Sequence, residues 1–99
     1  MTEITPTLVL RAYSLGIFPM AESKDAGSVY WIDPDRRGIM PLDGFHVPRR
    51  LKRTVRQDRF EIRCDHDFEA VIDACAEARE GRPDTWINGE VRHLFRALH

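Results

Sequence analysis

Arg49, Lys52, Arg53 and Arg56 recur at intervals of three and four. A helix over them sets all these cations on one face. Leu51 and Val55 fall on the opposite side, which predicts an apolar edge docked on the protein and a charged face turned outward. No acid is interleaved to form i, i+4 pairs, and like charges at that spacing repel. Such a face is either simply solvated or built for a polyanion, with phosphate the natural partner chemistry.

Trp86 stands in the polar loop Arg82-Pro83-Asp84-Thr85-Trp86-Ile87-Asn88-Gly89. A flat apolar ring with one donor can stack on a base, wall a pocket, or fold back as a core plug. The helix start beside it favours anions. Asp33 and Asp35 flank Pro34, and either an acid/base pair or ordinary turn chemistry explains them. Cys64, His66 and Cys75 with His46, His93 and His99 lack Cys-x-x-Cys or His-x-x-x-His spacing, so no metal is expected. Cys75 lies on an apolar helical stripe and reads as a small core residue. No glycine-rich phosphate loop, nucleophile elbow or catalytic Ser/His order occurs.

The elements that must hold these residues follow from caps and periodicity. Thr5-Pro6 opens a helix with Leu8, Val9, Ala12, Tyr13 and Leu15 at helical spacing, and Gly16 is placed just past its C-cap. Ile17-Phe18-Pro19-Met20 then reads as a turn made of large apolar groups, where polar residues are usual. Val29–Ile32 reads as a strand, with Arg37–Met40 as its hairpin partner. Pro48 opens the basic helix, which runs to about Gln57, and Phe60–Cys64 alternates like a half-buried strand. Asp65 or Asp67 caps a helix with Phe68, Val71, Ile72 and Cys75 inward, stopped by Gly81 and Pro83. Asn88 caps a last helix with Val91, Leu94, Phe95 and Leu98 on one stripe. These apolar faces need a sheet to cover them. The chain therefore reads as the beginning of a fold, or else the last stripe is an exposed dimer face.

At 99 residues with 42% hydrophobic content, one globular domain or less is expected. The net charge of −1 hides an asymmetry. Arg49 to Arg63 is strongly basic, and Asp65 to Glu80 is strongly acidic. The start Met1-Thr2-Glu3-Ile4 is not a secretory signal, and no apolar run approaches membrane-spanning length. Two cysteines form no framework, so a cytoplasmic protein with reduced thiols is expected.

Three stretches in order, RAYSLGIFPM, YWIDPDRRGIMPLDGFHVPRRLKR and DTWINGEV, resemble the N-terminal part of the bacterial leucyl/phenylalanyl-tRNA–protein transferases, with similarity from about Leu8 to His99. The resemblance implies an α/β (α+β) fold, with a small N-terminal domain over residues 1–36. Residues 37–99 would then be the opening strand-helix-helix of an acetyltransferase-like (GNAT) domain. It implies transfer of Leu, or Phe and less so Met, from aminoacyl-tRNA to an N-terminal Lys or Arg of a protein, which enters N-end-rule degradation. Tyr13, Phe18, Met20, Trp31, Trp86 and Phe95 would then line the substrate pocket, and Arg49, Lys52, Arg53 and Arg56 would hold the tRNA. Two positions depart from the family's usual residues: Met20 stands where Trp is frequent, and Phe95 where Tyr is frequent. The aminoacyl ester is already activated, so no cofactor is implied. Family members run well past the position of His99, and the part beyond it holds most of the catalytic core. The implied expectation is a truncated transferase with no catalytic residue of its own, inactive alone and a monomer when full length. The alternative from the residues themselves is a non-catalytic RNA- or anion-binding module.

Overall fold

The computed structural model describes residues 3–99. In chain order the elements are α1 (Pro6–Ser14), β1 (Phe18–Met20), β2 (Tyr30–Ile32), α2 (Arg49–Arg56), α3 (Phe68–Ala76) and α4 (Gly89–Leu98), a mixed helix-and-strand architecture. They fall into two compact units: the chain up to Asp35 together with Asp67–His99, and Arg36–His66.

In the first unit α1 begins as its sequence dictates. Thr5 Oγ1 accepts from the Leu8 amide at 3.2 Å, and Pro6 takes the position whose N–H has no intrahelical partner. The helix closes with Gly16 N–H donating to Tyr13 O and Ile17 N–H donating to Ala12 O, while Gly16 adopts φ +80. These two bonds define a Schellman end, which needs a left-handed residue. No atom lies within 4 Å of a Cβ built on Gly16, so the site is roomy and only its backbone is demanding. Gly16→Ala is expected to cost about 1 kcal/mol through that φ alone. The urea midpoint should fall with the slope unchanged.

The apolar turn of the sequence reading is a strand. Phe18, Pro19 and Met20 pair antiparallel with Ile32, Trp31 and Tyr30 respectively. Proline, which cannot donate to a ladder, is tolerated because each strand of a two-stranded ribbon has a free edge. Pro19 is among the most deeply buried side chains. The expected hairpin partner, Arg37–Met40, forms no strand and leaves Ile39 and Met40 exposed. The apolar segment 18–20 wins because pairing it also buries Pro19.

α3 and α4 run antiparallel and are tied by ion pairs. Arg92 grips Asp73 with both ends of its guanidinium, at 2.6 and 3.1 Å, and Arg96 meets Glu69 at 2.5 Å. α3 ends at Ala76, earlier than Gly81 and Pro83 suggested. The Arg82 guanidinium donates to Cys75 O at 2.8 Å and Glu77 O at 3.0 Å, satisfying the last carbonyls, and a tight Arg79–Arg82 turn with Gly81 at φ +81 follows. The stripe of α4 is not an exposed dimer face. Val91 is 0% and Leu94 2% exposed, because α1 and α3 pack over them. With Val9, Ala21, Ile72 and Ile87 they make the core.

The second unit contains α2, which spans the expected residues. Its apolar edge does not dock, however: Leu51 and Val55 are both exposed. Phe60–Cys64 is not a strand either. No partner ladder reaches it among the described residues, and Ile62 is 84% exposed. Alternation alone leaves the backbone groups of a strand unpaired. The segment turns instead, with Asp58 and Asp65 at positive φ and Arg63 bonded locally to Glu61 and His66.

Candidate functional site

Trp86 is positioned by a small polar lattice. Asp84 Oδ1 accepts from the backbone amides of Lys24 and Thr85, both at 2.8 Å. Trp86 O accepts from the Ala21 amide at 3.0 Å, directly after β1. Thr85 Oγ1 accepts from Ile87 N at 3.2 Å. Asn88 completes the lattice. Its oxygen caps α4 by accepting from Val91 N at 2.9 Å, and its amide donates to Ala26 O at 2.9 Å and Ser28 O at 3.5 Å. Asn88 and Thr85 are buried, and each polar function is used.

With its main chain so fixed, the indole is neither a core plug nor free in solvent. It is 43% exposed and walls an apolar groove of about 230 Å³. α3 supplies Phe68, Val71, Ile72 and Cys75; α4 supplies Val91 and Phe95; the loop supplies Trp86 and Ile87. Cys75 is therefore an exposed groove residue, not the core residue its stripe suggested.

Phe95 belongs to a second cluster as well. Its ring meets Tyr13 edge-on with centroids 6.2 Å apart, and Tyr13 stacks on Phe18 at 6.2 Å. Phe18 thus connects to the Trp86 groove through Tyr13 and Phe95. A main-chain bond, from the Ala21 amide to Trp86 O, also ties the end of β1 to Trp86. Cross-strand partners share a ribbon face. Trp31, opposite Pro19, is on the face away from Phe18, and Met20 is on the Phe18 face. Of the expected pocket set, Tyr13, Phe18 and Phe95 are linked by ring contacts, Phe95 and Trp86 share the groove, Met20 is on the Phe18 face of the ribbon and Trp31 on the opposite face.

The hydrogen bonds also shift acidities. Amide donation from Lys24, then Thr85, holds the Asp84 carboxyl below the ordinary Asp value. The Arg92 hydrogen bond lowers Asp73, and Asp73 raises Arg92 in turn. A lowered folded pKa gives stability that is present above the unfolded value and is lost as pH falls through the folded one. The Lys24 and Thr85 amide shifts should therefore hold steady from neutrality to about pH 4 and move only below it. A midpoint at or above the ordinary carboxylate value in an amide-resolved NMR titration contradicts this arrangement.

In the second unit Arg49, Lys52, Arg53 and Arg56 do share one face. They line a hollow of about 550 Å³ with His46, Val47 and Gln57. Among the described residues no carboxylate pairs with any of these cations. No side chain caps the start of α2, and no acid occupies its first turn. Arg49 and Arg50 at that end oppose the helix dipole, so the arrangement costs stability rather than adding it. Sequence reasoning missed His46 and Gln57, which flank the charged repeat, and Phe68, Val71, Cys75 and Ile87 of the groove. The Asp84–Asn88 lattice was hidden except for the cap. Among the described residues no group of His, Cys, Asp and Glu gathers as a metal site, and no helix is long and apolar enough to cross a membrane.

Two family models match the chain. Leucyl/phenylalanyl-tRNA protein transferase covers residues 39–99, and the N-terminal domain of the same enzyme covers residues 2–35. A leucyl/phenylalanyl-tRNA–protein transferase of Paramagnetospirillum magneticum is 56% identical over 96% of this chain and 46% of its own length. Namesakes from two Rhodopseudomonas palustris strains are 57% and 55% identical, over 99% and 98% of this chain and 44% and 43% of their own. The chain spans about half the length of the curated relatives it matches. No solved structure matches it.

Proposed function

Because the chain belongs to the leucyl/phenylalanyl-tRNA protein transferase family, we propose that it supplies the RNA-holding face and the aminoacyl-receiving groove of an aminoacyltransferase. The reaction moves Leu, or Phe and less readily Met, from aminoacyl-tRNA to the N-terminal Lys or Arg of a protein and so marks that protein for N-end-rule degradation. The observation that carries this reading is the pairing of two unlike surfaces on one chain. One is an uncompensated cationic hollow, and the other is a groove lined only by apolar groups and a cysteine. Phosphates suit the first. The groove, at about 230 Å³, is below the range of drug-sized pockets and fits one amino-acid side chain.

The reaction asks little covalent chemistry of the protein. The ester is already activated, and the acceptor amine must lose a proton and be held against it. Orientation then provides most of the rate. A site made of phosphate contacts and aromatic walls matches that demand. In the same reading residues 1–36 form a small domain, residues 37–99 open a GNAT-like domain, and the protein works as a cytoplasmic monomer. Tyr13, Phe18, Met20, Trp31, Trp86 and Phe95 serve the aminoacyl end, and Arg49, Lys52, Arg53 and Arg56 the tRNA.

A full-length transferase carrying these residues, given tRNA charged with labelled leucine, should pass the label to a peptide beginning with Arg and not to its acetylated form. The 99 residues alone should bind the tRNA without transferring. Absence of transfer by the long form, with charged and uncharged tRNA bound equally, sinks the proposal. That outcome favours a non-catalytic RNA-binding module, a reading supported by the cationic hollow lying wholly within Arg36–His66.

A further inference from the structure

The cationic hollow is not a flat charged strip. A surface that only tracks duplex phosphates needs cations in a row, whereas here the row is the wall of a concavity of about 550 Å³, within the size range of small-ligand sites. The remaining lining is of another kind: the imidazole of His46, the apolar Val47 and the amide of Gln57. His46 is exposed and in contact with none of the ion pairs or ring stacks of the described residues. An aromatic residue and an apolar one lining the same hollow as several guanidinium groups make a setting in which an unstacked base can be held: rings and Arg planes offer π-faces, and phosphates on either side meet the cations.

We propose that this hollow receives an unpaired nucleotide of the bound RNA, its base stacked on His46 over Val47 and its flanking phosphates held by Arg49, Lys52, Arg53 and Arg56. The inference rests on the RNA reading of the basic face and adds to it a preference for single-stranded over duplex RNA. Duplex RNA keeps its bases inside the helix and so cannot fill the hollow. A free nucleotide carries the same groups, but it meets the cations at one end only and lacks a second flanking phosphate.

Binding of the 99-residue protein to a fluorescent single-stranded RNA oligomer, to a duplex of equal length, and to ATP as competitor tests this. His46→Ala should weaken single-strand binding about tenfold and leave the salt slope unchanged, while His46→Phe, which keeps a ring and no charge, should restore it. Duplex binding should be the same in all three proteins. His46 is exposed, and circular dichroism of each variant checks that the fold is kept. Unchanged binding by His46→Ala, failure of Phe to restore it, or ATP displacing the oligomer mole for mole overturns the proposal. The underlying reading is judged separately. If Arg53→Glu with Arg56→Glu leaves RNA binding intact, the basic face itself is not an RNA site. If that pair weakens binding and His46→Ala does not, only the stacked nucleotide is wrong.

Discussion

Reversing Arg53 and Arg56 together to glutamate is expected to weaken tRNA binding by roughly a hundredfold or more near physiological salt, and to lower the salt slope by about 2. Both guanidinium groups line the hollow, and neither is neutralised by a carboxylate among the described residues. Each therefore has its full charge available for phosphate, and each reversal replaces an attraction with a repulsion. The fold should survive. α2 buries no residue, and its last-turn cations have no partner to lose. Relieved repulsion among Arg49, Lys52, Arg53 and Arg56 offsets the favourable dipole interaction that the last-turn cations give up, so the helix should keep about its present stability. Anisotropy with labelled tRNA over a salt series reads both numbers. Binding and slope unchanged from the parent would mean that the face is merely solvated.

Asn88→Ala is expected to have the largest effect on stability, about 1–3 kcal/mol, from a lost helix cap and the loss of two part-buried hydrogen bonds to Ala26 O and Ser28 O. The side chain is 3% exposed, caps α4 through its oxygen, and donates its amide to Ala26 O and Ser28 O. A loss of that size is a large share of what a small domain possesses. Asn88→Asp separates the two roles. The carboxylate keeps the cap and gains from the helix N-terminus, but it faces the Ala26 carbonyl with no donor. It should fall between parent and alanine in a urea titration, with residues 26–28 loosening first in hydrogen exchange. If Asp and Ala are equally destabilised, the cap contributes nothing.

How much of this was legible in the sequence depended on whether the signal was local. Thr5-Pro6, Gly16 and Asn88 each act on backbone within a few residues, and each holds the position its type implies. The spacing of Arg49, Lys52, Arg53 and Arg56 is likewise local, and the helix and its charged face follow from it. What failed needed a partner. Phe18-Pro19-Met20 looked like a turn because it follows the helix stop at Gly16, yet the β2 segment pairs with it. Phe60–Cys64 has the alternation of a strand and no ladder among the described residues. Cys75 lies on the stripe of α3, but the stripe is wider than the contact, so Ile72 is covered while Val71 and Cys75 are left exposed. The stripe of α4 shows the reverse, since α1 returns from far along the chain to cover Leu94 and Val91. At the site, Trp86 was singled out by type and Phe95 through the family resemblance, and the clamp on Asp84 was not, because its donors are backbone amides sixty residues away at Lys24 as well as next door.

The measurement that bears most directly on the central claim compares leucyl-tRNA with the same tRNA uncharged, bound to this chain over a salt series. Two surfaces with different chemistry predict two components. The affinity common to both ligands should fall steeply with salt. The leucyl form should keep an advantage of about tenfold from apolar burial, nearly independent of salt, and Trp86→Ala should remove it. Equal affinities for charged and uncharged tRNA at every salt concentration would contradict the account and leave a face that holds RNA without sensing the amino acid it carries.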